Sequence, residues 1–316
     1  PMDTVTEAKL AIELAKSGGL GVLHRNCSVE KQVGMAREVK QHPLDGCEGA
    51  STDGEERLLC AAAISPFDLE RAKKLDKYVD ILVVDVAHFY TEKCMEAAKK
   101  LLREVEADVV VGNVGTYEAA ADILYKLDGV AGFRVGIGSG SICLTMDSLR
   151  VGAPTLFSTA QVADAVAELG ADVPVIADGG IGSAGEAALA LAAGASAVMM
   201  GRVFAQCEEA AGESISVDGK VWRRYRGMAS PSAKALRHAI DRYQPVKKVF
   251  EGIEGWVLVK GPVRHVVEEL AEGLRAIMGY VGAPNIPSMW EKARFALISE
   301  SGWSEVAPHG VLQEPR

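Results

Sequence analysis

Across the first two-thirds of the chain, short apolar runs rich in β-branched residues alternate with longer stretches in which apolar residues recur at helical spacing. The runs fall at 20–25 (LGVLHR), 58–64 (LLCAAAI), 79–87 (VDILVVDVA), 107–114 (ADVVVGNV), 132–137 (GFRVGI), 173–179 (VPVIADG) and 196–201 (SAVMMG), and they predict seven strands. The segments 5–17, 29–41, 66–77, 91–105, 117–128, 158–169 and 184–193 are rich in Ala, Leu, Glu and Lys and each predict a covering helix. Such alternation is the pattern of βα units around a parallel sheet. Seven strands with seven helices, the first helix ahead of the first visible strand, lead to an α/β fold of the (β/α)8 TIM-barrel type whose opening strand lies upstream of Pro1. Pro1-Met2-Asp3-Thr4 is then the first βα loop.

Two stretches break the pattern. Segment 42–57 (HPLDGCEGASTDGEER) has turn formers and acids but no apolar period and reads as a surface linker between the second and third units. Residues 206–262, ahead of a helical 263–280, are too long for an ordinary connection and carry aromatic and basic residues, so they read as an active-site flap. At 316 residues the whole chain, 1–316, fits a single barrel domain.

Composition narrows the partners. A net charge of −9 argues against nucleic acid and against an anionic membrane surface, so an anionic ligand needs a local anchor. The six cysteines (27, 47, 60, 94, 143 and 207) show no C-x-x-C pair and no zinc spacing. With no secretory leader and no apolar run near ~18 residues, the expected compartment is the cytoplasm, with reduced thiols.

Candidate chemistry centres on Gly138-Ser139-Gly140-Ser141-Ile142-Cys143, which delivers a thiol at the end of a small-residue loop that a planar ligand can approach closely. Cys60, inside an apolar run, and Cys207 read instead as small hydrophobes. Asp178-Gly179-Gly180-Ile181-Gly182 and Met200-Gly201-Arg202 follow the last two strands, where barrels of this type hold phosphate; backbone N–H groups, a helix start near Ser183 and the Arg202 cation suit an anion. Asp178 at a strand end can accept from a ribose diol, cap a helix or pair with a nearby arginine, and Asp85 and Asn113 hold equivalent positions on other strands, open to ligand binding or to structural pairing. Arg242-Tyr243 is by itself an ordinary surface dipeptide.

Together these residues resemble the IMP dehydrogenase and GMP reductase family. The resemblance rests on PMDTVTE at 1–7, GIGSGSICLT at 136–145, ADGGI at 177–181, VMMG at 198–201, YRGM at 225–228 and EGIEG at 251–255, in family order across nearly the whole chain. It implies a nucleotide substrate held by Met2, Ser141, Asp178, Gly180, Gly201, Arg202, Tyr225, Gly227, Met228 and Glu251. It further implies NAD beside Asp85, Asn113, Gly136 and Gly138, and a potassium ion on the carbonyls of Gly138, Gly140 and Cys143. Cys143 would form a covalent thioimidate with IMP, and Arg242, Tyr243 and Thr145 would assist its hydrolysis to xanthosine monophosphate. The Arg242-Tyr243 pair points to the dehydrogenase branch, with the NADPH-dependent reductase of GMP as the alternative. A catalytically silent nucleotide-binding barrel and a flavin-binding barrel are the remaining readings. Relatives are commonly tetramers, so a homotetramer is expected. Three departures stand out: the linker 42–57 occupies the place of a pair of regulatory CBS modules, Arg202 stands where a small residue is usual, and Ala229 replaces a glycine of the YRGMG loop.

Overall fold

The computed structural model describes residues 1–44, 46–236, 238 and 251–306. Seven strands, β1 (Val22–Leu23), β2 (Ala61–Ile64), β3 (Ile81–Val84), β4 (Asp108–Val114), β5 (Val130–Val135), β6 (Val175–Asp178) and β7 (Ala197–Met199), form one parallel sheet in sequential order. Each lies within or overlaps a strand expected from the apolar runs. Helices α1 (Ala8–Lys16), α2 (Val29–Gln41), α3 (Leu69–Leu75), α4 (Glu92–Leu101) and α5 (Tyr117–Lys126) match the expected positions, as do α7 (Thr155–Glu168) and α8 (Ala184–Ala192), which follow the short α6 (Thr145–Leu149). Ser28, Thr91, Thr116 and Ser183 cap α2, α4, α5 and α8 by accepting from the N–H three residues on. Each such cap is worth about 1 kcal/mol.

Alternate residues of each strand face opposite sides. Leu23, Ala62, Ile64, Leu82, Val84, Val109, Val111 and Phe133 pack outward against the helices in the largest core cluster. Val22, Ala61, Ala63, Val83 and Val110 face inward and meet Ile81, Ile176 and Met199 in a second, smaller cluster. That inner cluster draws on both the first and the last strand, so the sheet curls around a common interior. Full burial of a Leu, Ile or Phe side chain stabilises by roughly 1.5–3 kcal/mol, and the outward cluster is the larger source.

Both irregular stretches carry structure in their described residues. Lys40 bridges Asp53 (2.8 Å) and Asp80 (2.7 Å), Asp53 also accepts the N–H groups of Glu55 and Arg57, and Asp80 accepts that of Cys60. The segment 42–57 is thereby tied to the sheet despite its lack of an apolar face. Within 206–262, after the short α9 (Arg202–Ala205), the chain forms β8 (Ser214–Val217) and β9 (Lys220–Arg226), then α10 (Pro231–Ala235) and β10 (Glu254–Leu258). The three strands make an antiparallel sheet in the order β10-β9-β8. The expected helix at 263–280 is α11 (Val263–Val281), followed by α12 (Ile286–Lys292) and α13 (Glu300–Val306). Among the described residues no helix is long and apolar enough to cross a membrane.

Two carboxylates join the N-terminal segment and the antiparallel sheet to their surroundings. Glu7 accepts from His24 (3.2 Å) and Lys31 (2.6 Å), and the hydrogen bond with His24, set against burial and helped by Lys31, lowers its pKa to about 2. Glu254 accepts from Ser232 and Arg224, and the Ser232 hydroxyl above all brings it to about 2 as well. Both are depressed in the folded state, so their stabilisation is full above the ordinary value of 4.5 and is lost as pH falls toward about 2. Urea denaturation across that window is expected to show a steep loss of stability that is shallower in Glu7→Gln and Glu254→Gln; parallel curves for wild type and variants would contradict this.

Candidate functional site

The loop after β5 carries the thiol, and its backbone is fixed by contacts that exclude side chains. Gly136 has φ of 138°, and a Cβ there would fall 2.0 Å from the Asp178 carbonyl oxygen. Gly138, at φ of 83°, faces the Val151 carbonyl in the same way, and Gly152 presses on the Ile137 carbonyl. From the other side, Leu144 N–H donates to the Glu251 carbonyl (2.8 Å) and Ile253 N–H to the Ile142 carbonyl (3.1 Å), a bridge that pairs Cys143 with Gly252. The Thr155 hydroxyl lies 2.7 Å from the Gly179 carbonyl and 2.6 Å from Ser139 Oγ, tying the thiol loop to the glycine turn after β6.

Held this way, Cys143 is half-buried while Cys27, Cys60, Cys94 and Cys207 are buried. Burial pushes the thiols of Cys60 and Cys207 up to about 12, which leaves them inert at neutral pH. Cys143 Sγ stands 3.2 Å from Thr145 Oγ1, and the Thr145 hydroxyl donates to Glu251 Oε2 at 2.9 Å. Glu251 is 2% exposed, so this thiol, hydroxyl and carboxylate form a short row running from the cavity into the protein.

One cavity collects most of the residues named from the sequence. Cys143, Thr145, Glu251, Gly227 and Met228 line it together with Gly180, Gly201, Arg202 and Met2, and the Ser141 and Tyr225 hydroxyls, 3.5 Å apart, line it as well. Asn113, Gly136, Gly138, Gly140 and Asp178 complete the wall. Met2 Sδ and Tyr225 Oη close over Gly201, where a Cβ would sit 3.1 and 2.9 Å from them. Burial raises the Tyr225 phenol, so it stays protonated and can donate. Asp85 is not in this wall: it is 1% exposed and committed to an ion pair. Arg242 and Tyr243 lie outside the described residues.

The residue that sequence reading missed is Arg134. It sits in β5, buried but with an edge on the cavity, and is bonded through Nη1 to Asp85 and through Nη2 to Asp178 Oδ2 at 2.8 Å. Burial works against its charge, but Asp178 and Asp85 outweigh burial and hold its pKa above the usual arginine range. Asn113, at a register shift between β4 and β5, donates to the Gly136 carbonyl (2.6 Å) and lies 3.2 Å from the same Asp178 oxygen. The signal was present: a lone arginine in the apolar run GFRVGI can be buried only against carboxylates, and Asp85 and Asp178 both end inward-facing strand positions. Gly112 gives it room, since a Cβ there would lie 2.6 Å from the Arg134 Cβ.

Removing the guanidinium takes the shared counter-ion from buried Asp85, which keeps Arg25 at 3.9 Å, and from partly exposed Asp178, so Arg134→Met is expected to cost about 3 kcal/mol of stability in urea denaturation. The exposed pair Lys73–Glu104 serves as the control, its loss expected to leave the denaturation midpoint nearly unchanged. Equal effects of the two changes would overturn the assignment of Arg134 as the interior tie.

Comparison with known proteins places this geometry. Residues 1–309 match the family described as the IMP dehydrogenase / GMP reductase domain. An inosine-5'-monophosphate dehydrogenase of Korarchaeum cryptofilum is 40% identical over 98% of this chain and 88% of its own length. The protein of the same name from Cryptosporidium parvum is 36% identical over 98% of this chain and 85% of its own. A third, from Methanocaldococcus jannaschii, is 44% identical over 83% of this chain, which spans only 55% of that longer relative. With the thiol loop, both glycine turns and Glu251 gathered on one cavity, and the match running through nearly all of the sequence, the chain belongs to the IMP dehydrogenase and GMP reductase family.

Proposed function

We propose that this chain is an IMP dehydrogenase, oxidising inosine 5'-monophosphate to xanthosine 5'-monophosphate with NAD in guanine nucleotide synthesis. The observation that carries the reading is the half-buried Cys143 thiol opening into the same cavity as the glycine turns at 179–182 and 200–202. A phosphate anchored at those turns leaves the purine to extend toward the sulfur. Asp178, its other oxygen free of Arg134, accepts from the ribose hydroxyls. Gly227, Met228 and Glu251 border the base, and Ser141, Tyr225 and Met2 border the ribose phosphate.

The chemistry follows from the purine. C2 of hypoxanthine lies between two nitrogens and is electrophilic, so the Cys143 thiol loses its proton and forms a bond from sulfur to C2. The adjacent Thr145 hydroxyl and Glu251 carboxylate are placed to take up or pass that proton. NAD held beside Asn113, Gly136 and Gly138 would supply the acceptor for the hydride that leaves C2. Water then adds to C2 of the thioimidate, the carbon–sulfur bond breaks, and the thiol regains a proton as the product carbonyl forms. In this reading Arg242 acts as base for that water, with Tyr243 and Thr145 assisting; an arginine is competent only in a tightly organised site.

The cavity wall fits the dinucleotide: Ala87, Asn113, Gly136 and Gly138 form one edge, and Asn113 Oδ1 there is buried without a hydrogen-bond donor among the described residues, an acceptor suited to a carboxamide. Asp85 acts behind that edge by fixing Arg134. Carbonyl oxygens of Gly138, Gly140 and Cys143 are hard donors of the kind that suit potassium; the Gly140 oxygen already accepts the Cys143 N–H at 2.9 Å and keeps a second lone pair. The proposal extends to a single catalytic (β/α)8 barrel domain over 1–316, with 42–57 in place of CBS modules and 206–262 as the flap excursion, acting as a cytoplasmic homotetramer.

Purified protein is expected to form NADH from IMP and NAD and to leave NADPH unchanged in the presence of GMP; the reverse pattern assigns the reductase, and a yellow protein without either activity assigns a flavin enzyme. Cys143→Ala is expected to abolish turnover while nucleotide binding, followed by equilibrium dialysis, is retained. Arg242→Ala is expected to slow release of xanthosine monophosphate far more than NADH formation in a pre-steady-state burst; equal slowing of both counts against its role as base.

A further inference from the structure

The two glycine turns are joined by a contact that neither turn explains alone. Gly179 and Gly180 adopt φ of 99° and 73°, a conformation that favours glycine. Gly182 does not have a positive φ, so its lack of a side chain answers a different constraint. A Cβ on Gly182 would fall 2.6 Å from Arg202 Nη2 and 3.6 Å from its Cζ. The guanidinium, carried by the first turn of α9, has crossed to lie on the bare Cα of the loop that opens α8.

What it finds there is a depleted set of donors. Glu186 takes the Gly182 N–H through Oε2 at 2.7 Å and also accepts from the Ser183 hydroxyl, so that amide is not available to a ligand. Among the described residues no carboxylate lies within 4.0 Å of the Arg202 nitrogens. A cation beside the N-terminus of a nine-residue helix opposes the helix dipole, and an anion bound between them relieves both. Arg202 faces the cavity with Gly180, Gly201 and Tyr225, and its charge acts on the Tyr225 phenol, so it belongs to the phosphate end of the site.

We propose that Gly182 and Arg202 are a coupled pair that sets specificity for a phosphate dianion: the glycine leaves the space in which the guanidinium replaces, with a charged fork, the amide that Glu186 occupies. This deepens the reading of the site as one for a nucleoside monophosphate and rests on it. The pair predicts non-additive substitutions, because either change removes the same guanidinium from the same place.

The test compares Gly182→Ala, Arg202→Ser and the double variant, with IMP, inosine and inorganic phosphate as ligands. Arg202→Ser is expected to raise KM for IMP by about tenfold or more, with the loss in KM rather than kcat, and to leave the weak binding of inosine unchanged. In Gly182→Ala the new methyl meets the far end of a flexible side chain, so the fold should hold while the guanidinium is displaced and most of the same loss appears. The double variant should be no worse than Arg202→Ser alone, and if Gly182→Ala by itself proves unstable, the double variant should recover stability because the obstructing side chain is gone. Thermal shifts with IMP and with inorganic phosphate read the pair even if the protein makes no NADH, so failure of the proposed reaction is told apart from failure of the pair. Additive losses, or equal weakening of IMP and inosine by Arg202→Ser, would overturn the proposal.

Discussion

The site depends on the close approach of two backbones. The Asp178 carbonyl oxygen lies where a side chain on Gly136 would begin, so the strand that carries Arg134 and the strand that ends in Asp178 meet without any intervening atoms. Everything that follows along the chain inherits that contact: the thiol loop leaves the rim in a fixed direction, and the Glu251–Ile253 segment pairs with it from the far side. A nucleophile on a free loop would sample many positions, each losing the advantage of holding reacting atoms together. Here the sulfur sits on a loop whose freedom has been removed residue by residue.

Beneath this rim the interior carries a layer of charge above a layer of hydrocarbon. Alanines and valines fill the lower part of the curled sheet, where Ala61, Ala63, Val83 and Val110 meet. One layer higher, Arg134 joins Asp85 and Asp178 across three strands. A buried ion pair of this kind contributes little net stability compared with an apolar substitute, since desolvation offsets most of the attraction. Its value lies in geometry. Asp178 faces the cavity that holds Cys143 and Asp85 does not, so the arginine passes the position of a buried group on to an accessible one.

Most of the fold was legible because its elements are long in the quantity that sequence reports. Runs such as ILVV in β3 and DVVVGNV in β4 are buried on both faces, and nothing but a covered strand keeps such a run out of water. The antiparallel sheet was not legible as strands: SISV is exposed throughout and KVWRRYR mixes charge with aromatics, so neither shows a clean alternation, and only the excess length of 206–262 marked the region. Among site residues, those on glycine turns and the thiol loop were found because small residues around one reactive group form an unusual local pattern. Arg134 was passed over because its partners are 49 and 44 positions away along the chain, and Asp85 was assigned to the cavity edge when it lies behind it. Gly182 is the subtler case, since a glycine in a turn has an ordinary explanation and only the position of a distant guanidinium gives it another.

The central claim is that the Cys143 sulfur bonds to the purine during turnover. Rapid acid quench during steady-state oxidation of IMP, followed by peptide mass mapping, tests it directly. The account expects a nucleotide-sized adduct on the peptide containing Cys143, appearing before product and absent in the Cys143→Ala protein. Active turnover with that peptide unmodified at every quench time would contradict it.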